Sequence, residues 1–385
     1  MNMAQLRPLA LAVLVSSVAL VGCSRGYKPD IPKPSPLPTL PAQQQTLTQV
    51  WSQRIGGANQ PDPLRLQIAM DETRYVAINR KGEIEAWSLQ GRRLWSRDLA
   101  KTELSSGVVL SADRVLVGSS TGQLLALDAN TGATVWTRQL SASILTPSLV
   151  AGDRVVTIAN DGTVTGTSLS TGQPVWTFDV QVPAVSIRGN AAPILYNDDT
   201  VMLASGGGRL YAVDLSTGVP KWERRVAISQ GRSEVQRLID IDSDPLLSAG
   251  QLYVVSYQGQ LVALDLEQQR MRWTADTSSL RNLSTSIGNV YVTTTEGAVQ
   301  AFDEQDGRKV WQLDQLKYRE LSNPVVLGRW LVVGDAKGYL HLIEQTEGKI
   351  VGRVRTAGAV RYLRVVGDRL LVQSTSGALS VWQAS

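Results

Sequence analysis

The sequence predicts an all-β fold: an eight-bladed β-propeller of four-stranded blades, its ring closed by an N-terminal strand that completes the last blade. Three observations predict it. A pattern recurs along the chain, typified by Gly122–Trp136, with Gly at the start, a small or apolar residue at +4, often an acid at +6, Gly at +10 and Trp at +14. Its first glycines are Gly82, Gly122, Gly162, Gly208, Gly259, Gly297, Gly338 and Gly377, spaced by 40, 40, 46, 51, 38, 41 and 39 residues. The last copy has room for only three strands, at about 360–366, 369–374 and 378–383, while residues 46–55 read as a fourth strand with no hairpin before it. A period near 40 with four strands per copy fits a propeller blade. A solenoid has no use for a split copy, whereas a ring uses one to remove an exposed edge.

Each part of the pattern has a physical reason. The first Gly and its polar neighbours make a turn that needs positive φ. The apolar run after it is a strand, and Asn-Thr-Gly or Ser-Thr-Gly closes a tight hairpin. The Trp lies on the following strand, where a large side chain covers the gap between packed sheets. Trp51, Trp95, Trp136, Trp176, Trp222, Trp273 and Trp311 take this blade-docking position. The copy starting at Gly259 has Gln269 at its turn, and the copy starting at Gly338 has Gly352 where the Trp belongs. The acid at +6 recurs in many copies, which points to turn hydrogen bonding rather than to metal ligation.

In chain order, residues 1–22 read as a signal peptide. Arg7 is the only charge before residue 25, and the apolar run Leu9–Val21 is short for a bilayer span. The run ends in Leu20-Val21-Gly22-Cys23, and Cys23 is the only cysteine of the chain. This resembles a bacterial lipoprotein signal, which implies lipidation of Cys23 and, with Ser24 following it, an outer-membrane address. The competing reading is an ordinary cleaved signal with an incidental Cys. Residues 23–45 then form a lipidated Cys and a tether, rich in Pro at 29, 32, 34, 36, 38 and 41. Extended at ~3.1 Å per residue, its 22 residues after Cys23 reach up to ~70 Å. Residues 46–385 form a single propeller domain, because repeat arrays build one continuous body.

The outlying spacings, 46 and 51, place two insertions after Trp176 and after Trp222. These are consecutive connections from an outer strand to the next inner strand, so both long loops, roughly 179–192 and 225–244, emerge on one face. Both mix apolar and charged residues, and the second has room for a helical turn. As a binding face, apolar anchors supply affinity while charges set register and encounter.

The composition excludes several chemistries. A lone Cys rules out intramolecular disulfides and cysteine-cluster metal sites, and a lone histidine, His341, rules out a His-based triad or a His-rich metal site. His341 sits mid-strand and reads as a structural side chain. Gly206-Gly207-Gly208 lacks the Gly-Lys-Ser/Thr of a phosphate loop and reads as a turn. The formal net charge of +4 is mild and spread along the chain, which does not indicate nucleic acid. No catalytic residue, metal or cofactor is assigned.

Ala126-Leu127-Asp128, followed by Thr131-Gly132 and Trp136, resembles the repeat of pyrroloquinoline-quinone enzymes. Such dehydrogenases carry a vicinal Cys pair, a calcium site and long active-site insertions, whereas this chain has one Cys and, at about 40 residues per blade, little room for insertions. The full-length arrangement instead resembles the BamB family of outer-membrane protein assembly factors. The features that match are Cys23, the Pro-rich segment, the closing strand with Trp51, eight repeats, and the loop sequences Ala184–Gly189 and Ser233–Asp242. That resemblance implies a non-enzymatic scaffold of the β-barrel assembly machine. It implies a protein lipid-anchored in the outer membrane and facing the periplasm, which binds the POTRA domains of BamA and assists barrel folding. It further implies that Val185, Ile187, Arg188, Asp240 and Asp242 carry the partner contact, with Val185 and Ile187 standing where Leu is typical. The alternative for these five residues is packing within the loops. Two other functional classes stay open at this point: a quinoprotein dehydrogenase, and a periplasmic ligand-binding propeller that uses its channel. Capture of unfolded outer-membrane clients by strand addition is a further expectation.

Overall fold

The computed structural model describes residues 32–42, 44–55, 66–99, 102–111, 113–183, 190–227, 241, 243–257 and 259–384. From Pro34 onward the chain is one compact unit. Among the described residues the regular structure is all strand, arranged as eight four-stranded antiparallel sheets in a ring. Blades 1 to 7 span Ala69–Asp98, Val109–Gln139, Leu149–Asp179, Ile194–Arg225, Leu246–Asp276, Ser284–Leu313 and Val325–Arg355. Within each, the four strands follow chain order from the inner to the outer edge. Blade 8 takes its three inner strands from Val360–Val366, Arg369–Ser374 and Ala378–Ala384. Its outer strand is Leu47–Arg54, paired antiparallel with Ala378–Ala384 from Leu47↔Ala384 to Arg54↔Ala378. The ring is therefore closed as the split copy predicts.

Alternation of strand direction puts two kinds of connection on each face. The outer-to-inner connections between blades share one face, termed here the connection face, with the turns that begin at the first glycines. The tight hairpins at +6 to +10 occupy the other. In those hairpins the acid caps the turn: Asp128 Oδ1 accepts from the amides of Asn130 and Thr131 and from the Thr131 hydroxyl, at 3.0, 2.8 and 2.9 Å.

The core is not central. Among the described residues it forms eight clusters, each shared by two neighbouring blades. The repeat tryptophans sit in these seams. Trp95, Trp136, Trp176, Trp273 and Trp311 each donate their indole N–H to a backbone carbonyl of the next blade, at 2.8–3.0 Å. Each ring also lies over the hairpin glycine of that blade. A Cβ on Gly132 would stand 2.5 Å from the Trp95 ring, and its φ of +69° already disfavours other residues. Gly at +10 thus serves the turn and the seam together. Trp51 carries the same packing across the closure, against Gly91, Tyr75 and Trp87.

Blade 7 shows why one copy lacks its Trp. Its successor, blade 8, has no hairpin between its last two strands, because they come from opposite ends of the sequence, so there is no glycine to dock on. The space goes to the chain itself. Gln45 N–H donates to Val351 O at 2.9 Å, and Gln45 pairs in parallel with Gly352. A Cβ on Gly352 would stand 1.9 Å from the Gln45 carbonyl oxygen.

The Pro-rich segment is accordingly not all free tether. Ser35 N–H donates to Lys317 O at 3.0 Å, Arg319 Nη1 donates to Ser35 O at 2.8 Å, and Arg353 Nη2 donates to Pro38 O at 3.0 Å. Polyproline-like chain has no internal hydrogen bonds, and these arginines supply donors that the segment cannot supply for itself.

Candidate partner-binding face

The connection face carries the long loops. The connections entering blades 4 and 5 run from 180 to 193 and from 226 to 245, the second being the longest of the ring. Blade 4 stands between them, so their described ends are neighbours. Their feet are firmly placed. Val180 and Val226 are buried and donate their amides to Gly162 O and Gly208 O at 3.0 and 2.9 Å. Asn190 is buried, donating to Ala159 O and accepting from Gly206 N–H. Ile241 is fully buried in the seam between blades 4 and 5, and Ser243 Oγ donates to Val255 O at 3.1 Å.

One side chain ties the two feet together. Asp244 Oδ1 accepts from Ala192 N–H at 2.9 Å, joining the end of the first loop to the end of the second. Asn282, at the start of blade 6, accepts from the Asp244 amide at 3.0 Å and donates to its carboxylate. A charge-assisted bond from a backbone amide is stronger than a neutral one. The platform under the loops therefore runs continuously from blade 4 to blade 6. Asp244 was not among the residues singled out from the sequence. It sits next to Ser243 and Asp242 in a polar run with nothing to mark it.

Val185, Ile187, Arg188, Asp240 and Asp242 lie outside the described residues, as do Cys23 and the stretch expected to hold a helical turn. The blade-docking tryptophans are all described. Trp51, Trp95, Trp176 and Trp273 are buried, while Trp136, Trp222 and Trp311 are half-buried. A third long connection, residues 55–68, joins blade 8 to blade 1, and its described ends, Ile55 and Leu66 to Ile68, lie on this face. Spacing could not reveal it, because the first repeat glycine, Gly82, comes after it.

The channel offers less. A cavity of about 440 Å³ lies among the inner strands, lined by Met70, Leu110, Val150 and Ile194 with Asp244, Tyr362 and Arg364 at its polar side. Asp244 is already engaged by the loop feet, and Tyr362 Oη lies 3.4 Å from Asn282 Nδ2. The acids at +6 are engaged as well. The hydroxyl and amide of Thr131 hold the Asp128 carboxyl below the usual range, and Ser216 and Thr217 do the same for Asp214. Among the described residues no group of His, Cys, Asp and Glu has a geometry that could hold a metal ion.

The chain is a closed eight-bladed β-propeller, with the ends of the connections into blades 4 and 5 tied together on one face. The family model described as "Outer membrane protein assembly factor BamB" matches residues 80–313 and 296–385. The protein of that name from Pseudomonas aeruginosa is 36% identical over 372 residues, covering 96% of this chain and 97% of its own. The crystal structure of BamB from Moraxella catarrhalis superposes with a TM-score of 0.82 at 37% identity, covering 88% of this chain and all of that one. The chain belongs to the BamB family of outer membrane protein assembly factors. A quinohemoprotein alcohol dehydrogenase from Comamonas testosteroni also superposes, with a TM-score of 0.69 over 88% of this chain and 76% of its own. At 13% identity that likeness concerns the fold alone.

Proposed function

We propose that this protein is a non-enzymatic scaffold of the outer-membrane β-barrel assembly complex. It binds the periplasmic POTRA domains of BamA through the paired loops of its connection face, and so assists folding and insertion of outer-membrane barrels. Val185 and Ile187 supply the apolar anchors. Arg188, Asp240 and Asp242 set register and encounter. A lipid on Cys23 holds the ring at the outer membrane, facing the periplasm. The observation that carries this reading is the bond from Ala192 N–H to Asp244 Oδ1, which fixes the feet of the two loops side by side. A surface that is organised before contact loses less ordering entropy on binding.

The test is binding of the purified chain to the periplasmic domains of BamA. Arg188→Glu and Asp242→Arg together should abolish binding while the β-sheet circular dichroism is unchanged. Undiminished binding by the double variant would remove these loops from the contact. An absorption spectrum of the purified protein showing a quinone chromophore would favour the dehydrogenase reading instead.

A further inference from the structure

The sole histidine of the chain is buried in blade 7 beneath the Pro-rich segment, and its partners form a continuous relay to that segment. His341 and Asp335 are fully buried and Arg319 nearly so. Asp335 Oδ2 accepts from Arg319 Nε at 2.7 Å and lies 3.1 Å from His341 Nε2. With Nε2–H donating to the carboxylate, the other ring nitrogen is an acceptor, and Arg353 Nε donates to Nδ1 at 3.4 Å. The far end of the same guanidinium donates to Pro38 O, and Arg319 reaches Ser35 O. Residues 34–45 carry no charged side chain. The site therefore grips backbone carbonyls with two arginines, each positioned by a buried group beneath it.

We propose that blade 7 is the docking site for the root of the membrane anchor, residues 35–45, and that protonation of His341 releases it. A proton taken from solvent onto Nδ1 turns that nitrogen from acceptor into donor. It then faces the N–H of Arg353, and the imidazolium adds a third cation beside Arg353 and Arg319. Arg353 loses its acceptor and is repelled, and its bond to Pro38 goes with it.

The groups that face His341 are Asp335 from the turn before its strand, Arg353 from the outer strand, Arg319 from the connection into blade 7, and Tyr339 on its own strand. Val333, its partner on the neighbouring strand, does not titrate. Burial holds the imidazole below its ordinary value, against the pull of Asp335. For Asp335, burial pushes upward, but bonds from His341, the Tyr339 amide and Arg319 win, and the carboxyl stays below its usual range. The resting state is thus a neutral histidine between an anion and two cations.

The device changes reach. With Ser35 seated, the chain between Cys23 and the ring is residues 24–34, about 34 Å at full extension. Release back to residue 45 restores the ~70 Å of the whole segment. This consequence rests on lipidation of Cys23, whereas the latch itself does not.

A spin label on Thr39→Cys, in the full chain with Cys23→Ser, reports the segment directly, and His341 gives the only imidazole signal in the NMR spectrum of the chain. The label should be immobile at pH 8. On acidification the label should become mobile in step with the His341 titration read by NMR, which lies below the ordinary histidine range. Arg353→Ala should leave the label mobile at every pH. His341→Gln keeps a donor and an acceptor but cannot be protonated, so it should leave the label immobile throughout. A wild-type label that stays immobile after His341 has titrated, or that is already mobile at pH 8, overturns the proposal. Should His341→Gln fail to fold, the wild-type titration and Arg353→Ala decide the matter alone.

Discussion

Trp51→Ala tests closure of the ring. The outer strand of blade 8 buries only two of its eight residues, Leu47 and Trp51. Trp51 packs edge-on to Tyr75 at 4.9 Å, lies 6.3 Å from Trp87, and covers Gly91 of blade 1. Truncating a buried Trp to Ala costs ~3–5 kcal/mol, to which the aromatic contacts add ~0.5–1.5 kcal/mol. The loss falls on the seam between blades 8 and 1, beside the pairing of the two ends of the chain that closes the ring. Amide exchange of residues 47–54 and 378–384 should therefore accelerate by two orders of magnitude or more, at ~1.4 kcal/mol per tenfold, while blades 3 to 6 keep their protection. Val50→Ala, one residue away and exposed, is the control and should stay within about 0.5 kcal/mol of wild type. If Trp51→Ala behaves like Val50→Ala, the ring is not held by this strand in the way described.

Three further outcomes are expected. Gly352→Trp restores the repeat pattern but places a side chain where Gln45 passes, so limited proteolysis within residues 36–44 should speed up although the propeller stays folded. For pH, the folded value of His341 is depressed below 6.5, so the unfolded chain binds more protons in the window beneath that value. Its contribution is then fully present above pH 6.5 and is lost on acidification, and denaturant midpoints should fall from pH 7 to pH 5 in the wild type but less so in His341→Gln. Asp244→Ala unties the loop feet and strands the Ala192 amide, costing ~1–3 kcal/mol. It should also weaken binding to the BamA periplasmic domains without removing any residue proposed to touch them, as measured by isothermal titration calorimetry.

The propeller was legible because its repeat states the same physical requirement in nearly every blade: Gly for the hairpin and for the Trp that lies on it, an acid to cap the turn, and alternation for the strands. The two loops were legible as breaks in that period. What stayed hidden had no period to break. The connection 55–68 precedes the first repeat glycine, so its length registers against nothing. The seat of the Pro-rich segment depends on Arg319 and Arg353, which lie more than 280 residues away from Ser35 and Pro38 and look like any surface arginine in sequence. Gly352 read as a lost Trp, whereas blade 8 offers no hairpin for a Trp to dock on and the chain returns to fill the gap. Asp244 was hidden for a related reason: a single acid in a polar run becomes a tie only when two loops are brought to it.

The central claim is that the paired loops on the connection face hold the partner. The most direct measurement places a photo-crosslinking residue at position 188 in cells, with a second at 242, and identifies what is captured. A crosslink to the periplasmic domains of BamA is expected from both positions. Absence of BamA from both, while BamA still co-purifies with the unmodified chain, would place the contact elsewhere on the ring and contradict it.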